Sequence, residues 1–397
     1  MVQQRSETGQ QLADLLRAAR SSLGLSLAFL SRMDGVTQHI EVAEPATSAY
    51  LCDGSTRVQE TSICQAIMEG RLPAVIGDIT EFPSAAELPA VRDGIRSLIS
   101  VPVVLSDGSV YGTFCAAGFA ASRDLAERDR ALMEVLAHAA AMIIEPDVRT
   151  DRRNAEIGSR LEPVIHGGGP VVLLQPIVDL ATGRRIGSEA LSRFPLQWNL
   201  PPDLVFAEAA LIGQRERLEV LALEQAAAHL PHVSGYVAMN VSPRTLTTPD
   251  CLAVLGRMPL DRVVLELSEH DPIEDYDGLR LILAPFRARG MRLAIDDVGA
   301  GFSSLRHIVA AAPDVLKLDR SIVTGVAGDP VLSAVVRALT ELAGVIGAAV
   351  VAEGIETGAD AATLTGLGVG LGQGWHFDRA TTPEALRDEY RAGILHF

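Results

Sequence analysis

Polar side chains recur at the ends of apolar runs throughout the second half of the chain. Gln175 closes one such run and Glu189 lies late in the next. Asn240, Glu266, the adjacent pair Asp296-Asp297, Lys317 with Asp319, Glu353 and Gln373 follow in order. Carboxylates gathered in one place repel each other when all are ionised and unpaired. A divalent cation removes that penalty, and carboxylates with an amide carbonyl and waters form a hard oxygen site suited to Mg²⁺ or Mn²⁺. Two such ions, about 3.5–4 Å apart, stabilise the attacking and the leaving oxygen of a phosphoryl displacement. Asp296 and Asp297 suit a two-ion site, because one can bridge while the other binds the second ion.

Each residue also has a plainer reading. A lone acidic residue at a strand end is usually a solvated loop charge. Asn240 could simply open a turn, since Ser242-Pro243 reads as an N-cap followed by Pro at the first helical position. Asp296-Asp297 could form a turn before a glycine, and Lys317 could pair with Asp319. What separates the two readings is whether all of these residues meet on one rim.

The elements that would bring them there are strands alternating with helical patterns. The candidate strands are Val171–Gln175, Arg185–Leu191, Tyr236–Val241, Arg262–Leu267, Arg292–Asp296, Val315–Leu318, Ala348–Ala352 and Val369–Gly374. Eight strands alternating with helices over roughly 225 residues suggest a (β/α)8 barrel, with a doubly wound sheet as the runner-up. In a parallel barrel the C-terminal strand ends converge on one rim, where active sites are built. Alternation along a strand puts Ala238 on the face of Asn240, Val264 on that of Glu266 and Ala294 on that of Asp296. Each polar group thus shares the inward direction of a small or apolar residue.

The first half of the chain reads differently. A helical pattern at Leu12, Leu15, Leu16, Ala19 and Leu23 is followed by strand-like runs at Leu25–Arg32 and Gln38–Ala43. Ser62–Gly70 reads as a short helix, and Pro73–Asp78 and Ser97–Leu105 as strands. Asp107-Gly108 marks a hairpin turn with Val110–Ala116 as its return strand. A closing helix, Leu125–Ile144, apolar at Leu132, Val135, Leu136 and Ala139, is expected to stop before Pro146. This is an α+β sandwich. The reading is a domain over 1–147, a partly helical linker over 148–169, which could equally be the first helix of the second domain, and the barrel over 170–397.

The second half resembles the EAL-domain family. The resemblance is carried by QPIVDL (Gln175–Leu180), SEALSRF (Ser188–Phe194), MNVS (Met239–Ser242), LELSE (Leu265–Glu269), IDDVGAGFSSL (Ile295–Leu305), LKLDRS (Leu316–Ser321), AEGIET (Ala352–Thr357) and GQGW (Gly372–Trp375). It implies a TIM-like barrel that cleaves cyclic di-GMP to linear pGpG with two Mg²⁺ or Mn²⁺ ions. By position, it makes Glu189, Asn240, Glu266 and Asp296 ligands of one ion and Asp296 with Asp297 the second site. Lys317 matches the lysine that positions the attacking water and offsets phosphate charge, and Glu353 matches the general base. Arg193 matches a phosphate-binding arginine, and Gln175 and Asp319 fall at substrate-binding positions. Gln373 matches a residue that supports the site from the last strand, next to substrate. Glu269 and Glu356 match acidic residues that hold the loop after the fifth strand. That loop departs from the family's DDFGTG: Val298 and Ala300 replace the aromatic and the threonine. Because the loop couples metal binding to dimerisation in the family, the departure bears on rate and regulation.

The first half resembles a GAF domain through Thr61–Gly70, Pro73–Ile79, Arg96–Val104 and Val110–Gly118. The resemblance implies a small-ligand sensor and a homodimer. Nothing in the sequence names the ligand. Cys64 reads as a small buried cysteine, with a ligand or redox role as the alternative.

Composition narrows the partners. The chain of 397 residues carries 34 basic and 50 acidic residues, a formal charge of −16. That balance repels nucleic-acid polymers and anionic membranes, so an anionic substrate needs local positive charge. Cys52, Cys64, Cys115 and Cys251 fit no metal-knuckle or CxxC spacing. The apolar stretches Val135–Ile144 and Leu342–Ala352 fall short of the roughly 18 residues of a membrane span, so a soluble cytoplasmic protein is expected. Three function classes stay in view: a cyclic di-GMP phosphodiesterase, a non-catalytic cyclic di-GMP receptor, and an interaction module that holds a partner through a GAF dimer. Retention of the expected ligands and base favours the enzyme.

Overall fold

The structure is a computed structural model that describes residues 6–46, 50–268, 273–299 and 305–386. The chain divides into two compact units, Met1–Arg153 and Asn154–Phe397.

The first unit is a six-stranded antiparallel sheet. Its strands are β1 (Leu27–Met33), β2 (Thr37–Glu44), β3 (Thr56–Val58), β4 (Val75–Ile76), β5 (Ser97–Val104) and β6 (Val110–Gly118), in the order β3-β2-β1-β6-β5-β4. Strand alternation decides what each face buries. Ala28, Leu30, Val101 and Phe114 pack against Leu12 and Leu16 of the helix Glu7–Leu23. Leu27, Phe29, Leu98 and Cys115 face the other layer, which holds Ile63 and Cys64 of the helix Ile63–Met68. The Asp107-Gly108 hairpin forms as expected, with Asp107 Oδ1 accepting from Ser109 N at 2.8 Å and Gly108 at φ 80. The strand expected over Pro73–Asp78 shrinks to two residues, since Pro73 has no donor and Asp78 caps a following 3-10 turn.

The closing helix differs from the expectation. It runs over Glu127–His166, with Pro146 inside it. A proline within a helix costs about 3 kcal/mol. Packing on both sides of it offsets that cost: Met133, Ala137, Ala140, Ala141 and Ile144 are buried before it, and Ile157, Leu161 and Ile165 after it. The buried stripe is also not the expected one, because Leu132 and Val135 are 38% and 67% exposed. Both stripes have helical spacing. The one rich in alanine packs against the sheet, where small side chains allow close approach.

The second unit is a closed eight-stranded barrel. Its strands are β7 (Val171–Asp179), β8 (Arg185–Arg193), β9 (Tyr236–Asn240), β10 (Val263–Ser268), β11 (Arg292–Val298), β12 (Val315–Leu318), β13 (Ala349–Ala352) and β14 (Leu371–Gly372). Strands β8 to β14 run parallel to one another, as expected. Strand β7 does not: it pairs antiparallel with both β8 and β14. The cause is local. Only a short turn joins β7 to β8, closed by Asp179 Oδ1 accepting from Thr182 N at 2.8 Å, and such a turn cannot make a parallel crossover. Gln175 therefore closes no strand. It lies within β7, in register with Glu189 of β8.

The barrel interior is layered. Ile177, Tyr236, Ala238, Val264, Ala294, Val315 and Val351 form one apolar cluster with Leu371 packed against it. Gly187 belongs to the same layer, and a Cβ there would meet the Tyr236 ring at 2.7 Å. Two residues further along each strand, on the same face, stand Glu189, Asn240, Glu266, Asp296, Lys317, Glu353 and Gln373. Gln175, two before Ile177 on the reversed strand, joins them.

Candidate functional site

Lys317 is the centre of this polar layer. Its side chain is 1% exposed, and its Nζ lies 2.7 Å from Glu353 Oε1, 2.9 Å from Glu266 Oε1, 3.1 Å from Asp296 Oδ1 and 3.5 Å from Glu189 Oε1. One ammonium thus faces four carboxylates. Burial disfavours the lysine's charge, but Asp296, Glu189, Glu266 and Glu353 outweigh it and hold the ammonium well above its ordinary range.

The same crowding acts unequally on the acids. Burial, together with the repulsion of neighbouring carboxylates, raises Glu266 and Glu353 well above the usual carboxylate range. Burial also penalises Glu189, but Lys317, Gln373 and Asn240 override it and hold that carboxyl low. Gln373 Nε2 donates to Glu189 Oε2 at 2.6 Å and Asn240 Nδ2 to Glu189 Oε1 at 3.2 Å.

The backbone of β11 gives the site its second acid. Adjacent residues of a regular strand point to opposite faces. Here the register between β11 and β12 shifts between Ile295 and Val298, and Asp297 adopts φ 61. The left-handed region is uncommon for a residue with a side chain, although Asp is among those that tolerate it. The irregularity turns both Asp296 and Asp297 toward the site. Two carboxylate groups result, Glu189–Glu266–Asp296 and Asp296–Asp297–Glu353, and within each the ligand oxygens lie within 4.8 Å of one another. Asp296 belongs to both.

The donor set fits divalent cations. The two groups supply hard oxygen ligands, the cluster carries more negative than positive charge, and the buried Glu266 Oε2 has no hydrogen-bond partner. Bringing such an oxygen out of water without a partner is costly, and a cation would satisfy it.

A cavity of about 410 Å³ adjoins the cluster, lined by Arg193, Asn240, Glu266, Ser268 and Asp297 among others. Arg193 Nη1 donates to the Ser192 carbonyl at 2.9 Å. Gln175 Nε2 donates to the Asp378 carbonyl at 3.4 Å. Asp319 lies just outside the cluster, half-buried, where it caps the helix Arg320–Val323 by accepting from Ser321 N at 2.9 Å. Glu356 is exposed, on the segment after β13. Glu269 and Ala300 lie outside the described residues, as does most of the loop that Glu269 and Glu356 were expected to hold.

One supporting residue escaped the sequence reading. Glu219, buried, accepts from Ser242 N at 2.9 Å, Ser242 Oγ at 2.7 Å and Arg215 Nε at 2.7 Å. It pins the turn that follows Asn240 and lines the same cavity. In sequence, Arg215 and Glu219 look like an ordinary exposed i,i+4 pair.

Comparison with known proteins agrees with this geometry. The EAL domain family model matches residues 159–380, and the GAF domain model matches residues 9–145. The uncharacterized protein Rv1357c of Mycobacterium tuberculosis is 31% identical over 275 residues, 63% of this chain and 90% of the relative. The "Probable cyclic di-GMP phosphodiesterase PdeB" of Escherichia coli K12 is 30% identical over 259 residues, 62% of this chain and 48% of its own length. The chain thus spans about half of that relative. Among solved structures, the PaMucR phosphodiesterase in complex with c-di-GMP is similar at TM-score 0.52 and 27% identity, over 58% of this chain and 99% of that one.

Proposed function

This chain belongs to the EAL-domain family, with a GAF domain preceding the barrel in sequence, and on that premise we propose that it hydrolyses cyclic di-GMP to linear pGpG. The observation that carries the proposal is the pair of carboxylate groups sharing Asp296 around the buried Lys317. A site that only held the dinucleotide would have no need of so many converging acids, which repel a phosphate unless cations sit between.

Two divalent cations, Mg²⁺ or Mn²⁺, would be held by Glu189, Asn240, Glu266, Asp296 and Asp297 and would supply charge stabilisation to the attacking and leaving oxygens of the phosphodiester. The chain's own residues do the rest. Glu353 accepts the proton of the attacking water. Lys317 orients that water and balances charge on the phosphate, a role its permanent charge suits. Gln373 and Asn240 lock the Glu189 carboxylate in one orientation. Arg193 binds a substrate phosphate in the adjoining cavity, and Gln175 and Asp319 are further substrate contacts outside that cavity's lining. Arg193 and Lys317 thus give a chain of charge −16 the local positive field that an anionic substrate needs.

In the same proposal the GAF domain regulates the barrel, the protein acts as a homodimer, and it works in the cytoplasm. No helix among the described residues is long and apolar enough to cross a membrane. The direct test of the metal requirement is turnover of cyclic di-GMP in excess chelator and after restoring Mg²⁺ or Mn²⁺. Loss and recovery support the two-cation reading, and full activity in chelator overturns it.

A further inference from the structure

In the first unit, Cys64 Sγ and Cys115 Sγ lie 3.3 Å apart, 51 positions apart in sequence. Both are buried. Cys64 sits in the first turn of the helix Ile63–Met68, and Cys115 on β6. Cys64 also lines a cavity of about 250 Å³, together with Phe29, Gln38, Tyr50 and Arg57.

A buried cysteine that only fills space behaves as a small hydrophobe. These two stand at the end of a buried polar seam instead. Gln38 Nε2 donates to Ser31 Oγ at 2.9 Å, and Ser31 Oγ lies 2.9 Å from Thr113 Oγ1. Cys115 Sγ donates to Thr113 Oγ1 at 3.2 Å and lies 3.0 Å from Ser100 Oγ. Ser31, Gln38, Ser100 and Thr113 are each at most 2% exposed. The seam makes the two thiols unequal. The hydrogen bond shared with Cys115 lowers the Cys64 thiol, while burial holds Cys115 up. The cysteine that borders the cavity is thus the one closer to its reactive, thiolate form.

We propose that Cys64 and Cys115 are a peroxide-oxidisable dithiol, in which Cys64 attacks and Cys115 resolves. The oxidant is hydrogen peroxide or a small organic peroxide, which the cavity has room to admit. Cys64 sulfur attacks one peroxide oxygen and the O–O bond breaks. The leaving oxygen takes the Cys64 proton and departs as water or an alcohol, and Cys64 is left as a sulfenic acid. Cys115 sulfur then attacks Cys64 sulfur and the S–O bond breaks. The hydroxyl leaves with the Cys115 proton as water, and the S–S bond forms. Two thiols are oxidised and one peroxide is reduced. A disulfide is about 2.05 Å long, so the sulfurs must close by about 1.3 Å. That movement draws the helix Ile63–Met68 toward β6 and reshapes the cavity wall.

The test uses the full chain, reduced and then treated with graded hydrogen peroxide, alkylated under denaturing conditions and digested without reductant. The expected result is a peptide linking Cys64 to Cys115 and a fall from four alkylatable thiols to two, reversed by dithiothreitol. It should occur at peroxide doses that leave Cys52, the exposed cysteine, alkylatable. In Cys115→Ser, oxidation should stop at a Cys64 sulfenic acid trapped by dimedone. Should that variant fail to fold, the wild-type peptide map still decides. The proposal is overturned if Cys64 and Cys115 stay alkylatable at doses that oxidise Cys52, or if Cys52 is found in the disulfide.

Discussion

Lys317 Nζ and Glu353 Oε1 lie 2.7 Å apart, the shortest of the four contacts that this lysine makes with carboxylates. Burial, with the charges of Asp296 and Glu189, outweighs the downward pull of Lys317 and holds the Glu353 carboxyl well above the usual carboxylate range. Neutralising Glu189, Glu266 and Asp296 by cations would leave the lysine free to face the phosphate. The pairing therefore ties the chemistry to a filled site, and it makes the roles of the two residues separable by experiment.

Glu353→Gln should bind cyclic di-GMP nearly as well as the wild type and lose at least about 100-fold in kcat, because it removes a proton acceptor while keeping shape and polarity. Binding by calorimetry and steady-state kinetics on the same preparation check this. Turnover within a few fold of wild type would remove Glu353 from the mechanism.

Lys317→Met should destabilise the metal-free protein. It leaves four carboxylates, three of them buried, without their shared cation, and uncompensated buried charge costs about 3–5 kcal/mol. Thermal unfolding in chelator should show the loss, and saturating Mg²⁺ should recover part of it. Equal melting temperatures for variant and wild type in chelator would mean that the cluster carries no charge stress.

Asp297 allows conformation and ligation to be pulled apart. At φ 61 a glycine is at ease and an alanine is not. Asp297→Gly should keep the wild-type melting temperature or exceed it, and Asp297→Ala should fall below Asp297→Gly by about 1 kcal/mol. Both should lose most turnover. A variant that keeps full turnover would take Asp297 out of the site.

Gly187→Val tests the layer beneath the acids. Its side chain would be driven into the Tyr236 ring, which a Cβ alone meets at 2.7 Å. Overpacking of this kind costs about 1–3 kcal/mol, read as a lower denaturation midpoint. Unchanged stability would mean that the barrel floor repacks freely.

Much of the site was legible because alternation along a strand is a strong local rule. Val264 and Glu266, or Ala294 and Asp296, share a face whatever the rest of the barrel does. The reversal of β7 was missed because a strand's own residues do not state its direction. The information lay in the brevity of the Thr182-Gly183 turn. Pro146 misled for the opposite reason: a local breaker lost to packing from Ile144 on one side and Ile157 on the other. The φ of Asp297 and the Glu219–Ser242 contact depend on tertiary neighbours and leave no pattern in the chain. Cys64 and Cys115, 51 positions apart, are joined only by the fold.

The most direct test of the account is to incubate the purified full chain with cyclic di-GMP and Mg²⁺ and identify the product. The expected result is loss of the cyclic dinucleotide with one phosphodiester opened, giving linear pGpG. Tight binding of cyclic di-GMP with no product in either Mg²⁺ or Mn²⁺ would contradict it and make the protein a receptor.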